Sequence, residues 1–72
     1  MDELSLTLGN NIRRLRKQRK LKQTELATLI YSSNAGISAW ETGRNQPNAF
    51  SLMKLAEVFE CSIDDLFKET GK

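Results

Sequence analysis

Histidine is absent from the chain, and cysteine occurs once, as Cys61. A zinc site needs clustered Cys and His ligands, an internal disulfide needs a second thiol, and a Cys–His nucleophile needs its base, so the sequence excludes all three. Ser and Asp side chains are present, but without an imidazole or a glycine-rich phosphate loop to activate or hold a substrate. The expectation is a non-enzyme with no metal and no cofactor. Cys61 reads as a small hydrophobe in a reducing compartment, with a redox thiol or an intermolecular disulfide as the alternative.

Long apolar runs are missing too. Nothing approaches the roughly 20 residues that span a bilayer, and the acidic start MDELSLTLG lacks the basic-then-apolar pattern of a secretory signal. No membrane partner and a cytoplasmic location are expected. Repeats and low-complexity segments are absent, and strand-like alternation is confined to Leu4, Leu6 and Leu8. With 72 residues the chain has room for one domain with a modest core and no deep cleft. An apolar content of 39% beside 28% charged residues fits a domain that folds unaided rather than a disordered chain.

The small net charge, +2, conceals an asymmetry. Residues 1–22 hold Arg13, Arg14, Arg16, Lys17, Arg19, Lys20 and Lys22 against Asp2 and Glu3, a net +5 that leaves −3 for the remainder. Such a basic segment is either the solvated face of a helix or one side of a surface that meets a polyanion.

Apolar spacing predicts five short helices. Leu8, Ile12 and Leu15 place the first from about Leu8 to Arg19, and Leu26, Ala27 and Ile30 place the second over Gln23 to Ile30. Ser33 is an N-cap for a third helix reaching Thr42, anchored by Ile37 and Trp40, with Gly43 suited to a left-handed residue past its end. Asn48 can cap the fourth, whose stripe is Leu52, Leu55, Ala56 and Phe59. Ser62 and Asp65 form a capping box for the last, with Ile63, Leu66 and Phe67 as its apolar face.

The second and third helices, joined by about three residues, meet the needs of a helix-turn-helix. Its second helix must offer short hydrogen-bonding side chains to base edges in a groove about 12 Å wide while its other face is fixed to the core. The stretch SSNAGISAWETGRNQPN has that character: small polar residues around one Trp. The segment LKQTELATLIYSSNAGISAWETGRNQPN, Leu21 to Asn48, resembles without gaps the core of the lambda-repressor and Cro-like (XRE) helix-turn-helix regulators. The likeness rests on Leu21, Gln23, Leu26 and Ala27, then Ile37, Ser38, Trp40, Glu41 and Gly43, then Pro47, and it extends from Leu8 to Phe67.

That resemblance implies an all-α, compact five-helix DNA-binding domain over residues 8–67, with the helix-turn-helix at about 23–42, an N-terminal extension 1–7 and a tail 68–72. The implied function is sequence-specific transcriptional regulation, as a repressor, with a homodimer on a pseudo-palindromic double-stranded operator, third helix in the major groove, at the nucleoid. Asn34, Ala35 and Ser38 occupy the base-reading positions, and Ala39 is expected on the same exposed side. Gln23, Ser33, Arg44, Asn45 and Asn48 are the implied phosphate contacts, Ser33 having capping as its alternative and Arg44 simple solvation. Arg16 and Glu41 are expected to pair and, with Trp40, lock the first helix to the third, unless they are two independent surface charges. The alternative function is a small protein-binding module, partner-neutralising or anti-repressor, on the same fold.

Several positions depart from the family pattern. Tyr31 and Glu60 stand where Gly is usual, Ser32 where an apolar residue is usual, and Ala49-Phe50 reverses a common apolar-polar order, which exposes Phe50. Gly36 lies inside the third helix at a cost of about 1 kcal/mol relative to Ala. Ser32 to Gly36 therefore reads as a soft element that orders on its operator.

Overall fold

In the computed structural model, which describes residues 2–69, the first helix begins at Glu3 rather than at Leu8. The carboxylate of Asp2 accepts the Ser5 backbone N–H at 2.8 Å and caps α1, Glu3–Gln18. Residues 3–7 thus form the first turn and more of α1. Leu4 and Leu6 face solvent while Ser5 and Leu8 are buried, so alternation that looks strand-like is two outer residues and one core residue of a helix. Residue 1 of the expected extension and residues 70–72 of the expected tail lie outside the described residues.

The other helices fall within a residue or two of expectation: α2 Gln23–Leu29, α3 Asn34–Glu41, α4 Ala49–Phe59 and α5 Ile63–Leu66. Ser33 Oγ accepts the Gly36 N–H at 3.0 Å, Asn48 Oδ1 accepts the Ser51 N–H at 2.9 Å, and Ser62 and Asp65 form the reciprocal capping box. Each cap satisfies a donor that the helix start leaves unpaired.

Four helix ends share one hydrogen-bond pattern. A left-handed residue donates to the carbonyl three back, and the next residue donates to the carbonyl five back: Lys20 and Leu21, Tyr31 and Ser32, Gly43 and Arg44, Glu60 and Cys61. This is the Schellman closure, which normally recruits Gly. Here φ is 80° at Gly43 but also 58° at Lys20, 60° at Tyr31 and 55° at Glu60. A side chain in that region costs about 1–2 kcal/mol per residue. Tyr31 and Glu60 therefore keep the backbone geometry that Gly would have supplied.

Leu8, Ile12, Leu26, Ile30, Ile37, Trp40, Leu55, Phe59 and Leu66 form a single core. Leu66 is fully buried, but Ile63 is 38% exposed, so the last helix contributes less of its expected apolar face to the core. Two α1 residues fix the helix packing. An added Cβ at Gly9 would run into the Trp40 carbonyl oxygen and lie 2.9 Å from that of Glu41, so α1 crosses α3 at backbone contact. Asn11, 2% exposed, donates from Nδ2 to the carbonyls of Leu66 at 2.7 Å and Lys68 at 2.8 Å, which ties α1 to the end of α5.

Gly9→Ala should lower stability by about 1–3 kcal/mol in a urea titration, because the obstacle is backbone and cannot rotate away. Asn11→Leu should cost a similar amount, about 1–3 kcal/mol, by stranding two carbonyls. Hydrogen bonds from the backbone N–H of Ser5 hold the Asp2 carboxyl below its ordinary value, and those from Ser62 do the same for Asp65, assisted by Lys68. Their stabilisation is complete above the unfolded carboxylate value and lost as pH falls through the lowered one. The urea midpoint should accordingly fall on acidification over that window, and Asp2→Asn with Asp65→Asn should flatten the fall.

Candidate nucleic-acid interface

Glu41, the last residue of α3, has a side chain only 4% exposed. Arg16 of α1 reaches it with two parallel bonds, Nε to Oε2 at 2.6 Å and Nη2 to Oε1 at 3.1 Å. The third guanidinium nitrogen, Nη1, donates to the Leu21 carbonyl at 2.9 Å, which fixes the connection into α2. Gln23 adds a donor from the start of α2, Nε2 to Oε1 at 3.1 Å. The expected pair is present, and Gln23 belongs to the same network. Desolvating a carboxylate costs several kcal/mol, so three donors on one buried acid serve orientation more than net stability.

The network sets the angle between the two short helices. Trp40, 8% exposed, and Ile37, fully buried, hold the inner face of α3 in the core. Asn34 and Ala35 are exposed, and Ser38 is half-buried on the rim. Ala39, expected on the open side, is instead buried at 9% exposure. The chain leaving α3 folds back there, with the N–H groups of Arg44 and Asn45 both donating to the Ala39 carbonyl, at 3.0 and 3.4 Å.

Eight residues make α3 about 12 Å long, close to the width of a major groove. Polar groups gather at both ends. At the C-terminal end, the Gln23 amide is bonded to Glu41, and the exposed Arg44 and Asn45 follow α3 in the chain, with Arg44 Nε 3.4 Å from Thr42 Oγ1. At the N-terminal end, Ser33 is exposed and caps the helix, and its hydroxyl keeps a proton to donate. Asn48 is exposed and caps α4.

The basic segment divides in two. Arg16 is committed to Glu41, the half-buried Arg14 donates to Asn11 Oδ1 at 3.4 Å, and Arg19 donates to the Phe59 carbonyl at 2.7 Å and lies 3.7 Å from Glu60, so all three are engaged within the fold. Arg13, Lys17, Lys20 and Lys22 remain exposed. Cys61 is partly buried against the core, and burial first, then Asp65, pushes its thiol up, which disfavours the reactive thiolate. Among the described residues no group of three or more His, Cys, Asp or Glu could hold a metal, and no helix is long and apolar enough to cross a membrane. Gly9 and Asn11 escaped the sequence reading because their partners lie far along the chain.

Removing Arg16 strands a buried carboxylate. Arg16→Ala should cost about 3–5 kcal/mol, most of the stability of a small domain, in a urea titration read by Trp40 fluorescence. The paired change Arg16→Met with Glu41→Gln should cost far less, because no charge is left buried alone.

Comparison with known proteins gives this arrangement its setting. The helix-turn-helix family HTH_3 matches residues 12–66. Repressor protein C2 of Salmonella phage P22 is 38% identical over 61 residues, 85% of this chain and 28% of that protein. The HTH-type transcriptional regulator DicA of Escherichia coli K12 is 37% identical over 62 residues, 86% of this chain and 46% of its own, and the HTH-type transcriptional activator BcrR of Enterococcus faecalis is 34% identical over 61, covering 85% and 30%. This chain thus spans less than half the length of these curated relatives. The P22 c2 repressor solved in complex with a synthetic operator superposes with a TM-score of 0.81 at 38% identity, covering 85% of this chain and 92% of that one. With the family's match across all but the ends of the described fold, the chain belongs to the lambda-repressor and Cro-like (XRE) helix-turn-helix family.

Proposed function

We propose that this chain is a sequence-specific, double-stranded-DNA-binding transcriptional repressor that lays α3 in the major groove of its operator. The observation that carries the reading is the two-faced α3: Ile37 and Trp40 buried, Asn34 and Ala35 open, and the C-terminal end fixed by the Arg16–Glu41–Gln23 network. Asn34 reads an adenine edge through its amide, Ala35 meets a thymine methyl, and Ser38 donates or accepts at a third base. Ala39, being buried, is left out of the readout.

Gln23, Arg44 and Asn45 then meet the backbone beside the C-terminal end of α3, while Ser33 and Asn48 meet it from their helix starts. Exposed Arg13, Lys17, Lys20 and Lys22 supply attraction that is blind to sequence. One module of this size makes few base contacts, so a homodimer on a pseudo-palindrome accounts for specificity. Exposed Leu4, Leu6 and Ile63 offer the apolar surface for that pairing, whereas Leu66 is consumed by the core.

Selection of bound sequences from a random duplex pool at two salt concentrations tests the reading. A pseudo-palindromic motif with half-sites about one helical turn apart is the expected result; no enrichment at either salt would move the function to a protein partner. Asn34→Ala should cost about 1–3 kcal/mol on the selected site and relax one base pair, while Gln23→Ala should weaken all duplexes alike. Equal losses on selected and random DNA would remove Asn34 from the readout.

A further inference from the structure

Tyr31 is one of three exposed side chains held in the left-handed region, and the aromatic one among them. It holds a left-handed backbone conformation that Gly would take without strain, and it is 76% exposed, so burial does not offset that strain. Its ring lies 6.2 Å from the ring of Phe50, itself 55% exposed, and the Lys54 ammonium stands 5.3 Å from the Tyr31 centroid and 6.0 Å from that of Phe50. The cluster joins the turn between α2 and α3 to the outer face of α4. The Schellman closure accounts for the left-handed turn here as at Lys20 and Glu60, so what distinguishes Tyr31 is the exposed aromatic and cationic cluster around it.

Resting on the DNA-binding reading above, we propose that Tyr31, Phe50 and Lys54 form an additional binding site for the sugar–phosphate backbone of DNA, extending the interface past the base-reading helix. Two features favour nucleic acid. The cluster is continuous with the interface already described, since Tyr31 is two residues before the Ser33 cap of α3 and Phe50 is two residues after the Asn48 cap of α4. Its chemistry also suits one nucleotide: an ammonium and a phenol hydroxyl for the phosphate, and two ring faces for the deoxyribose.

Lys54 is paired with Glu57 at 3.3 Å, but Glu57 is 69% exposed and such a pair is weak. The ammonium can leave Glu57 for a phosphate, and Glu57 then restrains the site as a neighbouring like charge to the ligand. This gives the cluster a signature of opposite signs. Loss of Lys54 weakens DNA binding, and loss of Glu57 strengthens it.

The test measures the affinity of the full chain for a labelled random-sequence duplex across a salt series, because a backbone contact is blind to sequence. Lys54→Gln should weaken binding about three- to tenfold at low salt and reduce the slope of log affinity against log salt by about one, with Lys54→Arg restoring the slope. Tyr31→Asn removes the ring while tolerating the left-handed backbone, so it should weaken binding without lowering Tm. Glu57→Gln should tighten binding. If these variants match the parent while Gln23→Ala still weakens binding, the cluster is no DNA contact and the proposal is overturned with DNA binding intact. A parent that binds no duplex at any salt overturns both readings.

Discussion

The buried carboxylate of Glu41 is the constraint around which the domain is organised. It terminates α3, receives the fork of Arg16 from α1, and takes the Gln23 amide from α2, so three helices share one acceptor group. An acid with a 4% exposed side chain tolerates few arrangements of its donors, because each lost bond leaves part of a desolvated charge unpaired. The requirement fixes geometry at the helix-turn-helix, where apolar contacts alone would permit small rotations. Gly9 makes it possible. Seven residues before Arg16, and so on the same side of α1, it lets the helix reach the carbonyls at the end of α3.

The helix ends show a second kind of constraint. Four Schellman closures require four left-handed residues, and Gly occupies one of them. The closures persist at Lys20, Tyr31 and Glu60 because each satisfies carbonyls that would otherwise end a helix unpaired, and because the next helix is held in place by the core. Arg19 shows how the local cost is distributed: it caps the Phe59 carbonyl and lies near Glu60, so a residue from the end of α1 braces the end of α4. Basic residues that look like a single charged face in the sequence are thereby split between fold and surface.

How much was legible in the sequence follows from which interactions are local. Caps, periodic stripes and the capping box involve neighbours within four residues, so Ser33, Asn48, Ser62 and the spans of α2 to α5 were readable from residue types alone. The start of α1 was not, because Leu4 and Leu6 face solvent and the buried residue between them is a serine. Asn11 and Gly9 were silent for the opposite reason: their partners are more than thirty residues away or are backbone atoms, and neither leaves a pattern in composition. Ala39 is buried where the sequence suggests an open position, and the chain after α3 folds back onto its carbonyl, a return that the helix period does not encode. Tyr31 and Glu60 were identified as departures from a glycine pattern, and their positive φ gives those departures a physical form.

The two ends of α3 are secured by unlike means. At the C-terminal end the buried ion pair, the Gln23 amide and the Gly43 closure converge; at the N-terminal end the Ser33 hydroxyl holds the Gly36 N–H, and the exposed Asn34 and Ala35 follow directly. Gly36 belongs to this arrangement, since a Cβ there would lie 3.0 Å from Ser32 Oγ and 3.3 Å from Ser33 Oγ, crowding the capping hydroxyl. Both neighbours are side-chain hydroxyls that can turn aside, so the space around Gly36 is tight without being closed. Local opening free energy follows buried contacts, so the N-terminal turn of α3 is less firmly held than the turn bearing Trp40. A reading surface built this way has its position set by the rigid end, while the side chains that discriminate ligands sit on the end with the fewest constraints.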